Sequence, residues 1–133
     1  MSSKELYRQK VKKYFLSDAN ATDMPHHSGR LSFYATFFDL IDVEVINQNY
    51  YDANIYAIYG EAERRWVGNV PGVGTRSSFV LPWYPRTLAF EIDFVVGPGV
   101  FISDRVDVAR GDAVQLTVPP NILASGFFRR LRR

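Results

Sequence analysis

From residue 31 onward, hydrophobic and polar positions alternate with a period of two. The pattern is clearest in 87–96 (TLAFEIDFVV), where Leu88, Phe90, Ile92 and Phe94 fall on one side and Glu91 and Asp93 on the other. Such alternation predicts a strand with one buried face. Val43 and Val45 alternate with Asp42, Glu44 and Ile46, and Asn47 through Asp52 supply turn chemistry. Further strands are expected at 54–59, 64–70, 76–81, 100–108 and 113–118, with Gly97-Pro98-Gly99 and Arg110-Gly111-Asp112 as breaks and Pro119-Pro120 as a stop. Leu31, Phe33, Ala35 and Phe37 also alternate, as an edge strand or as an arm that docks elsewhere.

Seven or so strands at this spacing, with no helix-period run between them, predict an all-β fold. The expected form is an antiparallel, immunoglobulin-like β-sandwich of about seven strands. Trp66, in the middle of one strand, is expected to pack in the core.

The first residues obey a different period. Ser2 and Glu5 have capping-box spacing, and Tyr7, Val11, Tyr14 and Phe15 recur at helical intervals. A short amphipathic helix is therefore expected over 2–16, ringed by Lys4, Arg8, Lys10, Lys12 and Lys13. Residues 17–30 are polar, contain Pro25 and Gly29, and read as a linker. Three regions follow: a basic helix and linker over 1–30, a sandwich over 31–120, and a basic aromatic tail over 121–133.

Composition narrows the picture. At 133 residues, with 47% apolar and 15% aromatic side chains, the chain suits one domain with its own core. It contains no cysteine, which excludes disulfides, thiolate metal sites and cysteine nucleophiles. No stretch reaches the roughly 18 apolar residues of a membrane-spanning helix, and charges occupy the place of a signal peptide's apolar core.

Charge is distributed unevenly. Residues 1–30 hold six Lys/Arg and three acids, residues 31–120 six Arg and eleven acids, and residues 121–133 four Arg and no acid. An acidic body with two cationic ends is a statement about partners.

No catalytic constellation stands out. His26 and His27 are adjacent in the linker, where their side chains diverge rather than converge on a metal. Gly68-x-x-x-Gly72-x-Gly74-Thr75 lacks both the Gly-Lys-Ser/Thr ending and the following helix of a phosphate loop, and reads as a hairpin. Glu91 with Asp93, and Asp104 with Asp107, are the nearest carboxylate pairs, and the face that Glu91 and Asp93 share, opposite an apolar one, makes solvent exposure their default. The expectation is a protein that is not an enzyme, with no cofactor, no metal and no small-molecule substrate.

The ends carry binding chemistry instead. Phe127, Phe128, Arg129, Arg130, Leu131, Arg132 and Arg133 combine apolar anchors with cations, and Tyr7, Val11, Tyr14 and Phe15 repeat the combination at the other terminus. Basic residues near an anionic lipid surface contribute about 1 kcal/mol each. The opposing reading folds Phe127 and Phe128 onto the sandwich. A third candidate is Leu81-Pro82-Trp83-Tyr84-Pro85-Arg86, where Trp83, Tyr84 and Arg86 are residue types enriched at binding hot spots; there the alternative is aromatics that cap the core.

Val43-x-Val45-x-Asn47, Tyr56, Gly60, Arg65, Gly68, Val70, Phe79-x-Leu81-Pro82 and Gly111-Asp112 together resemble a small β-sandwich domain of uncharacterised bacterial proteins, over about residues 40–120. A stand-alone sandwich with basic ends is also similar to the membrane-extrinsic accessory subunits of bacterial photosynthetic reaction-centre–light-harvesting complexes. That resemblance implies a non-enzymatic accessory or scaffold subunit that docks on a membrane-associated assembly. Its partners would be other protein subunits and anionic lipid headgroups. Its place would be the membrane periphery, on the cytoplasmic face because no signal peptide is visible. The alternatives are a nucleic-acid binder, disfavoured by the acidic body, and a carbohydrate-binding module using Trp83 and Tyr84.

Overall fold

The computed structural model describes residues 12–17, 23–25 and 39–131. Among them, ten strands form two five-stranded sheets. The strands are β1 (Lys12–Leu16), β2 (Asp23–Pro25), β3 (Leu40–Asn47), β4 (Ala53–Tyr59), β5 (Arg65–Val70), β6 (Thr75–Pro82), β7 (Leu88–Phe94), β8 (Val100–Ser103), β9 (Ala113–Val118) and β10 (Phe128–Arg130). The first sheet runs β2-β1-β9-β3-β6 and the second β10-β8-β7-β4-β5. The described residues contain one 3-10 turn, Ile122–Ala124, and no α-helix.

Alternation builds the core. Ile41, Val43 and Val45 of β3, Leu88, Phe90, Ile92 and Phe94 of β7, and Val114, Leu116 and Val118 of β9 all point into one shared cluster. Phe90 and Phe101 are its largest fully buried rings. Each such side chain contributes about 1.5–3 kcal/mol on burial.

Several expectations change. The pairings are not all antiparallel: β9 lies between β1 and β3 and is parallel to both. It is reached by a crossover from the other sheet rather than by a hairpin, and side-chain alternation carries no information about strand direction. The helix expected over 2–16 is a strand over its last five residues, with Leu16 fully buried beside β9. Ladder pairing with β9 satisfies the backbone there, overriding the local helical period. Residues 1–11, with Tyr7 and Val11, lie outside the described residues. Within the expected linker, Asp23–Pro25 pairs antiparallel with β1; His26, His27 and the alternating 31–37 lie outside the described residues.

The strand expected over 100–108 ends at Ser103, leaving Val106 as an isolated bridge to Leu88. Val95 and Val96 fall beyond the end of β7 and are exposed.

Trp66 is 54% exposed instead of packed in the core. Gly68 pairs with Ile55 but Trp66 pairs with Tyr56, so Val67 is an extra residue and the strand bulges. A bulge turns the next side chain to the other face. Val67 then packs against the core and Trp66 points outward. Gly68 is required beside it, because a Cβ there would lie 2.5 Å from the Phe79 ring.

The C-terminal residues are not an exposed tail. Phe127 and Phe128 are buried at 6% and 4% exposure, and β10 pairs antiparallel with β8. Ser125 Oγ accepts the backbone N–H groups of both phenylalanines at 3.0 Å, and the backbone N–H of Leu131 donates to the Val100 carbonyl. Two adjacent Phe gain more from completing the core than from standing in water.

Candidate docking face

Two turns lie side by side at one end of the strands, 60–64 between β4 and β5 and 83–87 between β6 and β7. Gly60 takes a left-handed conformation at φ 57°, and its N–H donates to the Thr87 carbonyl. Arg105 reaches across to the Gly60 carbonyl at 2.6 Å. The turns are thereby held against each other and against the 104–112 crossover.

Trp83 is a structural cap. Its indole N–H donates to the Val108 carbonyl at 2.6 Å, its ring packs against the core, and the Arg110 guanidinium lies over it at 4.8 Å. Tyr84 next to it is 41% exposed and stands edge-on to Tyr59, with ring centroids 4.9 Å apart. The Tyr59 hydroxyl donates to the Pro82 carbonyl at 2.5 Å, and burial pushes its pKa up to about 12. A guanidinium N–H of Arg65 donates to the Tyr84 hydroxyl at 3.2 Å. Together with Ala62, Glu63, Arg64 and the exposed Arg86, these tyrosines line an open groove of about 370 Å³.

Arg64 joins the groove to the outer face of the second sheet. Its guanidinium bonds Glu91 at 2.7 Å, lies 3.8 Å from Asp93, and stacks over the Tyr56 ring at 4.2 Å. The bond to Glu91 raises the pKa of Arg64 further above its ordinary value. Trp66 stands edge-on to Tyr56, with centroids 5.4 Å apart. Pairing registers align Trp66, Tyr56, Glu91, Ile102 and Arg129 in one cross-strand row.

Glu91 is thus buried at 4% rather than exposed, because its outward carboxylate is taken up by Arg64. Asp104 and Asp107 are exposed on the crossover. No group of three or more metal-ligating side chains converges among the described residues.

Of the residues singled out from sequence, the structure brings Tyr84 and Arg86 into the groove and turns Trp83 inward. Arg129 and Arg130 are exposed on β10, Leu131 is half-buried, and Arg132 and Arg133 lie outside the described residues. Phe15 is half-buried on β1. Sequence reasoning missed Arg64, Arg65, Trp66 and Tyr56. The signal was Arg64-Arg65-Trp66 following a charged glycine turn, which marks a hairpin tip rather than a core strand. Among the described residues, Arg65, Arg86 and Arg129 form no ion pair, so this face offers cations to a partner.

No family model and no curated relative matches the chain. A solution structure of a protein from Eubacterium rectale is similar to 63% of this chain and 82% of its own, at 14% identity and a TM-score of 0.46.

Proposed function

We propose that this chain is a non-enzymatic accessory subunit that docks on a larger protein assembly through the arginine–aromatic face, its body an immunoglobulin-like β-sandwich. The observation that carries the reading is the convergence of Arg65, Tyr84 and Arg86 on one groove with exposed Trp66 alongside. Trp, Tyr and Arg dominate binding hot spots because they bury large areas at low entropic cost and offer directional donors. Arginine pairs with carboxylates in a bidentate manner, so the complementary surface is acidic and aromatic.

This reading rests on the face rather than on the chain ends, since Phe127 and Phe128 contribute to the core. A carbohydrate-binding reading draws on a narrower observation: Trp66 is exposed on a sheet face where the Asn69 amide donates to Asn54 at 2.9 Å.

Native purification of the tagged chain tests the proposal. The intact chain is expected to bring down a defined set of polypeptides, and a variant carrying Arg65→Glu, Tyr84→Ala and Trp66→Ala to lose them while staying folded. Equal recovery by both would end the docking proposal. Retention of only Trp66-dependent binding, to an oligosaccharide panel, would favour the carbohydrate reading.

A further inference from the structure

Among the described residues, the two sheets end in the edge strands β2, β6, β5 and β10. Three of these edges are blunted. β2 and β10 are three residues long, and β5 is broken by the bulge at Val67. Short or bulged edges discourage a further strand from adding. β6 is different. It runs eight residues from Thr75 to Pro82 in unbroken register with β3, and no described strand pairs with its other side.

The phase of that ladder fixes which backbone groups go unused. In an antiparallel pair, opposed residues alternate between those that exchange both hydrogen bonds and those whose groups point away. The Trp83 N–H donates to the Asp39 carbonyl at the end of the ladder, whereas the Asp42 N–H donates to Asp112, on the β9 side. On β6, therefore, Leu81, Phe79 and Ser77 bond to β3. The N–H and C=O groups of Arg76, Ser78 and Val80 point out from the sheet edge. Pro82 shares their phase, and its carbonyl accordingly turns away from β3 to accept the Tyr59 hydroxyl.

The side chains match an open edge. Arg76, Ser78 and Val80 are exposed on the outer face, and Ser77 and Phe79 on the inner face are only half-buried. The single charge on the strand, Arg76, turns inboard to Glu44 at 3.6 Å.

We propose that β6 is a dimerisation edge, at which a second copy of the chain adds its own β6 antiparallel, with Ser78 opposite Ser78. In this register Arg76 opposes Val80 of the second copy, so all three free residues find partners, each pair exchanging both its N–H···O=C bonds. A shift of two residues loses a pair whichever way it runs. One direction opposes Arg76 to Pro82, which has no N–H, and the other opposes Val80 to Gly74, whose N–H already donates to Asn47. The side chains fit the same register: Arg76 lies along Val80 and Ser77 beside Phe79, so no like charges meet. The two arginines stand four residues apart on the ladder, about 14 Å. Each is carried toward the end of the other copy where Asp42 opposes Val80 in β3. The strand is thus complementary to itself, which assigns the edge to a second copy rather than to an unrelated strand. Twofold pairing closes on itself, so nothing larger than a dimer forms. None of these residues belongs to the arginine–aromatic face, and the claim stands or falls apart from it.

Sedimentation velocity of the full chain over a range of concentrations is expected to show a monomer–dimer equilibrium. The chain contains no cysteine, so Ser78→Cys supplies a single thiol. At the twofold centre its Cα lies about 5.5 Å from its counterpart, within reach of a disulfide. This variant should oxidise to a covalent dimer far faster than Leu123→Cys, which is exposed elsewhere. Val80→Lys puts a cation beside Arg76 of the other copy at two places per dimer and should weaken association about tenfold. Adding Arg76→Glu should restore part of that loss. Ser78→Pro removes an N–H that the fold leaves unused and should abolish the dimer. If the proline unfolds the chain by circular dichroism, Val80→Lys, on the solvent face, decides. The proposal is overturned if the chain stays monomeric throughout, if Ser78→Cys cross-links no faster than Leu123→Cys, or if Val80→Lys dimerises as tightly as the parent.

Discussion

The carboxylate of Glu91 receives the guanidinium of Arg64 at 2.7 Å while that guanidinium stacks on Tyr56, so one arginine serves a buried acid and an exposed aromatic row at once. Arg64→Ala should therefore lower the denaturant midpoint, screening at the half-exposed arginine keeping the loss below that of a fully buried pair. A double-mutant cycle with Glu91→Gln in urea should show favourable coupling between the two side chains. Coupling near zero would mean that the two side chains meet without stabilising each other.

Asn47 has a larger role than its size suggests. Its amide donates to the carbonyls of Tyr51 and Val70 and its side-chain oxygen accepts the Asn49 N–H, all at 2.9–3.0 Å. Asn47→Ala leaves these groups without their partner, and a loss of about 2–4 kcal/mol is expected by chemical denaturation. Hydrogen exchange should quicken at the Asn49 amide first.

Phe128 should behave as a core residue. Its ring packs edge-on against Phe127, centroids 5.2 Å apart, inside the common cluster. Phe128→Ala is expected to cost about 3–5 kcal/mol, and deletion of 126–133 to unfold much of the second sheet. Unchanged thermal unfolding of the deletion would contradict this placement.

Stability should be flat with pH up to about 10 where Tyr59 is concerned, and should fall above it. Burial raises the folded-state pKa of this hydroxyl to about 12, from 10.0 for the free side chain. The folded chain thus keeps the proton that the unfolded chain releases, and stability drains away between those values. Tyr59→Phe should remove this alkaline decline, while losing the bond to the Pro82 carbonyl, worth about 1 kcal/mol. Denaturant midpoints of both proteins across that pH range decide the matter.

The period-two alternation by itself determined the all-β class, because a strand with one buried face must repeat every second residue. It located β3, β4, β6, β7 and β9 within a residue or two at most ends, and the Pro119-Pro120 stop fell where β9 ends. Direction and partner were not written there. Parallel pairing of β9 with β1 and β3 comes from a crossover, and a pleated strand looks the same in sequence whichever way its neighbour runs. Local period misled at Lys12–Leu16, where an unpaired edge of β9 outweighed helix spacing. It misled again at Trp66, where one extra residue in the ladder reversed the faces. The candidate face was legible only in Tyr84 and Arg86. Arg64, Arg65 and Trp66 join them because two turns distant in sequence are clamped together in space, and such clamping is a property of tertiary packing. The fate of Phe127 and Phe128 was likewise decided there: the same two rings suit an anchor or a core, and only an open position beside β8 settles which.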